Sequence, residues 1–579
     1  MNWKYLMPII AILTVGSLYL MMDNADDSDA ATGTYTDGNW TFDVYGTNAT
    51  IVSNTATNIT ALNIPSTVSA NGNTYTVTTV GMGGNSSSYA IVQNSQLASG
   101  CTLTIPSSVT TINRSAFYGC SGFTGNLVIP EGVTKIEQSA FRGCSGFNGT
   151  LTLPTGLTEI GYYGFSGCTG FTGSIVIPNT VRSIGQYAFS TDRGFTGSLS
   201  IPDSVTYLGQ YAFNGCSGLN GTLTLGSGIT SLDSYAFRET QFTGSLIIPD
   251  GIRAVGQETF MSCNKFTSLS LPNTLTSIGF SAFEGCTGFT GNLTIPESVT
   301  LIYDSAFEGC SGFTGNLTIP NSITRIYKDT FSRCSGFNGT LTLPSNLISI
   351  EDTAFYYCTG LTGTLTIPSS VTSIGYGAFN NCTGLTGTLT IPSSVTSIKQ
   401  YAFYYCTGFT GDLNIPNGVT HISDNTFYGC RGFNGTLTLP SNLTSIGNNA
   451  FNNCNKFDGI LTIPSSVTSI GSGAFSNCSG FDSLVNLSSA TFGSTSLIMA
   501  GVKEVLNLGG TELNPGSYGL PSDCVVKTDL NADSYIAPAS IKESHEKEGA
   551  VYTILALLPL FIILGALIVC ANTIVRKND

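Results

Sequence analysis

From Leu103 onward the chain repeats one order of apolar and polar positions. Residues 365–388 read "LTIPSSVTSIGYGAFNNCTGLTGT", and the next copy starts at Leu389. A phenylalanine marks every copy: Phe117, Phe141, Phe165, Phe189, Phe213, Phe237, Phe260, Phe283, Phe307, Phe331, Phe355, Phe379, Phe403, Phe427, Phe451 and Phe475. The spacing is 24 residues throughout, except that both neighbours of Phe260 lie 23 away. A fixed period in this range predicts a solenoid. Within one copy, Leu365 and Ile367 alternate with polar residues, as in a short strand with one face inward. Pro368 ends the strand because it has no N–H to give to a ladder. Val371 and Ile374 add inward positions, and Gly375 permits a turn. The Ala-Phe pair points inward, and the Cys three residues after the Phe suits a short helical or 3₁₀ turn. The two glycines of "TGLTG" return the chain. One copy cannot bury these groups by itself, but stacked copies can. Sixteen coils at a strand spacing of ~4.8 Å make a rod or arc roughly 75 Å long.

The flanks depart from the repeat. Residues 31–100 contain "WTFDVYG" and "TYTVTTV", alternating strands that suit an N-terminal β cap, since solenoid ends need polar covers. The repeats occupy 101–484. Residues 485–540 lose the "AF..C" signature but keep "VKEVLNL" and "CVVKTDL", and are expected to cap the other end. Two segments read as membrane signals. Residues 1–30 hold "YLMPIIAILTVGSLYLMM" after Lys4, a signal peptide or signal anchor. Residues 551–571, "VYTILALLPLFIILGALIVCA", carry no charge and are long enough to span a bilayer as a transmembrane helix. A charged stalk, 541–550, precedes it and a cytoplasmic stub, 572–579, follows. Lysines and arginines flank this helix evenly, so the N-terminal segment sets the orientation and sends the repeats out of the cell.

The phrase "LTIPSSVTSIGYGAFNNC" resembles the BspA-like class of leucine-rich repeats, which reads roughly as "IP..VT.IG..AF..C..L" in units of about 23 residues. The resemblance covers about 103–484, two-thirds of the chain. This chain departs from the class in the extra residue of "FTGNLTIP"; the shorter "FTSLSLP" at 266–272 keeps the usual length. The resemblance implies a right-handed, β-rich leucine-rich repeat solenoid with short strands and short helical or 3₁₀ turns. It also implies a cell-surface or secreted protein, in some members an adhesin for matrix proteins or other cells. The implied partners are extracellular proteins, glycans or neighbouring cells, with the membrane held through the C-terminal helix. The periodicity by itself establishes only a solenoid.

Composition narrows the chemistry. The net charge of −14 comes from 35 acidic and 21 basic residues, and an acidic chain repels phosphate backbones, so nucleic acid is not expected as a partner. Of 17 cysteines, fourteen fill one column from Cys120 to Cys478, with Asp192 and Thr240 in its two gaps. Side chains stacked in register stay near ~5 Å apart, wider than the ~3.8 Å between disulfide Cβ atoms. The column therefore reads as buried, reduced thiols acting as small hydrophobes. Cys101, Cys524 and Cys570 lie outside it, and the first two have open partners. No CxxC pair, GxSxG, HExxH or P-loop occurs, and His421 and His545 lack metal-ligand neighbours. The acidic residues read as loop or surface substitutions. No enzyme, metal or cofactor is expected. Asn-x-Ser/Thr triplets begin at Asn48, Asn58, Asn113, Asn148, Asn220, Asn292, Asn316, Asn338 and Asn434 among others, glycan acceptors by rule in a secreted chain.

Comparing copies separates frame from variation. Leu, Ile, Pro, Val, Ile, Ala-Phe and Cys recur, whereas the residues just before Ala-Phe and between Phe and Cys vary and are expected to face outward. Around Phe355–Phe403 these columns collect Tyr356, Tyr357, Tyr376, Tyr401, Tyr404 and Tyr405, a candidate partner-binding patch because aromatics with a polar tip favour interfaces. Two functions fit: a membrane-anchored surface protein that binds proteins or glycans, or a structural coat that binds copies of itself.

Overall fold

The computed structural model describes residues 32–82 and 89–528. Its repeats form stacked coils joined by three ladders. The first ladder is built from the Ser-Ile or Thr-Ile pair of each copy. Ile112, Ile136, Ile160, Ile184 and Leu208 follow one another in parallel register, with their side chains buried. The second ladder uses the "LT" pair, where Leu127 pairs with Leu151 and Leu199 with Leu223. Each leucine points inward and the following Thr, Ser or Val points to solvent, as period-2 alternation requires.

The third ladder is not the expected helical turn. Three successive i to i+3 bonds do form: Ala116 N–H to Asn113, Tyr118 to Ser115 and Cys120 to Phe117. The intervening residues instead donate to the next coil, Ser115 N–H to Gln138, Phe117 to Ala140 and Gly119 to Arg142. This alternation is possible because Ser115 and Gly119 have φ of 59° and 74°. Each sits at the third position of its turn, as in a type II turn, and a helix cannot continue through it. The described 3₁₀ segments, Asn94–Gln96 and Ser517–Gly519 among them, lie outside the sixteen copies.

Two glycine roles also differ from expectation. Gly375 does not adopt a positive φ; a Cβ there would lie 2.4 Å from the Glu351 carbonyl carbon of the preceding coil. It permits close stacking rather than a turn. In "TGLTG" the work is divided, since a Cβ on Gly360 would meet the Phe337 oxygen at 2.4 Å, whereas Gly363 supplies a φ of +76°.

The core is one continuous cluster. The marker phenylalanines stack face to face, with centroids 5.4 Å apart for Phe283–Phe307 and 5.6 Å for Phe307–Phe331. A second stack runs beside it, through Phe123, Phe147, Phe171 and Phe195, and later Phe289, Phe313 and Phe337, with Leu219, Leu361 and Leu385 replacing Phe in other coils.

At the N-terminal end, Thr32–Asp37, Trp40–Tyr45 and Asn48–Asn54 form an antiparallel meander. Asn73–Val80 pairs parallel with Asn48–Asn54 on one side and with Thr111–Ile112 on the other, so the meander continues the first ladder. The residues expected as a C-terminal cap instead extend the second ladder. Ser483–Asn486, Glu504–Asn507 and Val525–Lys527 pair in parallel at intervals shortened to 21 residues. The "VKEVLNL" and "CVVKTDL" phrases are these strands. The signal or anchor segment 1–30, stalk 541–550, transmembrane helix 551–571 and stub 572–579 lie outside the described residues. Among the described residues no helix is long and apolar enough to cross a membrane.

Candidate functional site

Two columns of the turn ladder decide what the protein shows to solvent. The residue two before each marker Phe and the residue two after it have a positive φ in all sixteen copies. Most side chains at these left-handed positions reach solvent, although Ser115 and Ser139 are buried. Glycine fills the second column at Gly119, Gly143 and Gly309, but Tyr357 and Tyr405 hold φ of 56° and 54° there. For an L-residue this costs about 1–2 kcal/mol.

The six tyrosines predicted from sequence come together on this face. Tyr356 and Tyr357 lie 4.5 Å apart between ring centroids, Tyr376 and Tyr401 5.4 Å, and Tyr401 and Tyr404 5.3 Å. Five of the six line an open groove of about 660 Å³, together with Arg333, Asp352, Asn380 and Asn381. Tyr405 is not in the groove; it packs on Tyr404 at 4.8 Å and on Tyr428 at 5.5 Å. Tyr357 and Tyr376 are 44% and 43% exposed, the most open rings of the patch.

The rim is charged and internally paired. Lys399 reaches Asp352 at 2.9 Å, and the Tyr376 N–H donates to the same carboxylate at 2.8 Å. Burial pushes Asp352 up, but the Lys399 ammonium and the Tyr376 N–H outweigh it and hold the carboxyl below its ordinary range. Arg325 pairs with Glu351 at 3.0 Å beside it. Burial, then the neighbouring phenol of Tyr357, raises Tyr356 above the usual tyrosine value, so its hydroxyl stays protonated at neutral pH. The groove thus offers aromatic faces, phenol hydroxyls, amides and fixed carboxylate and guanidinium groups.

Sequence reasoning missed a second aromatic array on the same face. Tyr163, Tyr187, Tyr211 and Tyr235 occupy the column two before Phe in four successive coils, and their rings stack with centroids 4.6, 4.4 and 4.3 Å apart. Arg142 covers Tyr163 at 3.9 Å and Arg238 lies 5.9 Å from Tyr235. The signal was legible as one residue type recurring in one variable column.

The cysteine column is a hydrogen-bonded ladder as well as an apolar filler. The Cys144 thiol donates to the Phe117 carbonyl one coil back at 3.0 Å, and Cys310, Cys382 and Cys478 repeat the contact to Phe283, Phe355 and Phe451 at 3.0–3.1 Å. Burial pushes Cys358 and Cys430 up to about 12 and Cys263 to about 11, so these thiols are poor nucleophiles. All sixteen described cysteines are buried and free, Cys101 and Cys524 included. They are expected to resist a maleimide in the native chain and to label after denaturation, as read by intact mass. Native labelling of the column would show that coils open locally.

Asp192 corrects the reading of acidic residues as surface substitutions. It stands in the cysteine column with no exposure, and neither carboxylate oxygen has a hydrogen-bond partner. Burial first, then the Cys168 thiol, raises its pKa well above the ordinary carboxyl value. Thr240, in the other gap, donates its hydroxyl to the Phe237 carbonyl of its own coil at 2.8 Å, not to the preceding coil as the thiols do. His421 is exposed on the first ladder. No group of three His, Cys, Asp or Glu among the described residues is placed to hold a metal.

Comparison with known proteins follows the same architecture. A family model described as a BspA type leucine-rich repeat region of six copies matches residues 93–196, 191–314, 287–410 and 408–499. No curated protein matches the sequence. A leucine-rich repeat protein from Bacteroides ovatus is 19% identical over 86% of this chain and 99% of its own, with a TM-score of 0.38. A leucine-rich cell surface protein from Faecalibacterium prausnitzii is 22% identical over 80% of this chain and 96% of its own, with a TM-score of 0.36.

Proposed function

Because the chain belongs to the BspA-type leucine-rich repeat family, we propose that it is a non-enzymatic binding protein whose ligand, a protein or glycan outside the cell, docks on the tyrosine-bearing turn face. The observation that carries this reading is the groove of about 660 Å³, where five tyrosines converge. Two supporting features point the same way. Tyr357 and Tyr405 occupy left-handed positions that seven of the sixteen coils give to glycine, and they accept the local cost with large aromatic rings. Aromatic and arginine side chains are also the types that carry most binding energy at interfaces. The hydrophobic segments at 1–30 and 551–571 support an exported, membrane-anchored chain with its repeats outside the cell.

Tyr357→Gly separates binding from folding. It removes an exposed ring and restores the residue that suits this conformation, so Tm should stay level or rise. Binding should weaken by about 2 kcal/mol, roughly thirtyfold in Kd. The test uses the full chain in nanodiscs against arrays of matrix proteins and glycans, with mass followed in solution. Saturable binding by a monomer that collapses in Tyr357→Gly supports the reading. Binding untouched by Tyr357→Gly and Tyr376→Ser together removes the groove from it. Concentration-dependent self-assembly without foreign binding replaces it with a structural coat.

A further inference from the structure

The face formed by the second ladder has a different character from the turn face. Its outward positions run from Thr124, Asn126 and Val128 to Thr386, Thr388 and Thr390, and no charged residue stands at any of them in these twelve coils. The same copies carry Arg142, Arg238, Glu258, Lys328 and Arg333 in the turn columns, so copying of the repeat does not explain the lack of charge. Five Asn-x-Thr triplets lie on these coils, at Asn148, Asn220, Asn292, Asn316 and Asn338, and a sixth, Asn434, continues the face beyond them, where Asp412 and Asp458 add charge; all six asparagines are exposed.

Five of the six amides are oriented by the fold. In four copies the side-chain Oδ1 accepts the N–H of the left-handed glycine one coil back. Gly125 donates to Asn148 at 2.8 Å, Gly197 to Asn220 at 3.0 Å, Gly315 to Asn338 at 2.8 Å and Gly411 to Asn434 at 2.7 Å. Asn316 accepts from the Thr340 N–H at 2.9 Å. A backbone donor fixes which end of the amide is oxygen, so Nδ2 is left facing solvent without a partner in the fold. Three triplets elsewhere differ. Asn113 gives its Nδ2 to the Gly81 carbonyl at 2.7 Å, Asn442 gives its own to Asn417 at 2.8 Å, and Asn486 is buried and donates to Asn507 at 2.8 Å.

We propose that the second-ladder face bears N-linked oligosaccharides on Asn148, Asn220, Asn292, Asn316, Asn338 and Asn434, and that Asn113, Asn442 and Asn486 stay bare. The donor is an oligosaccharide carried on a polyprenyl phosphate or pyrophosphate. Nδ2 bonds to C1 of the first sugar, the C1–O bond to phosphate breaks with its electron pair leaving on the phosphate oxygen, and one Nδ2 proton passes to base. No oxidation or reduction occurs. Asn292 and Asn316 stand in one column on successive coils about 5 Å apart, and Asn338 follows on the next coil two residues earlier along the strand, so their glycans crowd and partial occupancy is expected there. Asn148, Asn220 and Asn434 have no such neighbour. The sugars cover the uncharged face and leave the tyrosine face open.

This rests on the placement of the repeats outside the cell. The full chain is purified from the cells that make it, and its glycopeptides are read by mass spectrometry. Intact cells are labelled in parallel with a membrane-impermeant amine reagent. Glycan on the six face sites and none on Asn113, Asn442 and Asn486 is the expected result. Equal occupancy of both sets overturns the argument from amide orientation. Bare face sites on a chain that the reagent reaches overturn the proposal alone. A chain the reagent cannot reach overturns the placement and the proposal together. Asn338→Asp keeps the acceptor for Gly315 and removes Nδ2, so it should fold normally and lose the mass of one glycan from the occupied fraction; an unchanged mass distribution excludes that site.

Discussion

Asp192→Cys stabilises the solenoid at neutral pH, and the gain over the parent chain grows as pH rises. The parent places a carboxyl in a column where fourteen other coils place a thiol. Its oxygens have no partner, and burial raises its pKa well above the ordinary carboxyl value. A raised folded-state pKa means that the folded chain holds the proton over a range where the unfolded chain has lost it. Stability is therefore greatest below the unfolded value of about 3.9 and falls by about 1.4 kcal/mol per pH unit above it, for as long as the folded carboxyl stays protonated. Cysteine removes that slope. It also supplies a thiol placed to bond the Phe165 carbonyl, as Cys216 bonds Phe189 at 3.0 Å. Asp233, Asp304 and Glu308 are raised by burial too, so the difference between variant and parent is the quantity to follow. Urea unfolding from pH 4.5 to 7.5 measures it. Parallel curves for the two proteins would show that Asp192 already finds a partner or water in the fold.

Asp192 also shows where sequence stopped being informative. The frame was legible because each coil repeats the same packing problem: the marker Phe, the inward Leu and Ile, and the Cys column were all placed correctly by period alone. The second stack, at Phe123 and its equivalents, recurs just as regularly six residues after the marker, yet the reading assigned that stretch to the returning turn. The turn columns were expected to face outward, but which of their side chains meet was not legible, because left-handed residues at Ser115 and Gly119 break both the period of 2 and that of 3.6. The tyrosines were therefore found as a set, but their groove and the exclusion of Tyr405 needed coordinates. Asp192 was misread because a charged residue is normally taken as a surface marker, and only its column, shared with buried thiols, said otherwise. The C-terminal coils were missed because their interval shortens to 21 residues and the Ala-Phe signature fades.

A stacked array differs from a globular domain in how it bears damage, and Phe307→Ala tests this. Phe307 lies in the middle of the marker stack, fully buried between Phe283 at 5.4 Å and Phe331 at 5.6 Å. Truncating a buried Phe to Ala costs about 3–5 kcal/mol through lost transfer energy and the cavity left behind. In a solenoid each coil touches only its neighbours, so that loss falls on two coil-to-coil interfaces rather than on the whole fold. Hydrogen exchange should weaken first at amides that join these coils, Phe283 to Ala306 and Phe307 to Thr330. Protection at Phe141 and Phe451, whose amides bond Gly164 and Ala474 far from the cavity, should be retained. Phe475→Ala provides the contrast: its ring stacks on Phe451 at 5.3 Å, and no aromatic ring continues the stack beyond it among the described residues. Its effect should be smaller and confined to the last coils. Equal loss of protection from the first coil to the last in Phe307→Ala would mean that the array unfolds as one unit, because the continuous phenylalanine and thiol ladders then couple the coils more strongly than any single coil is stable alone.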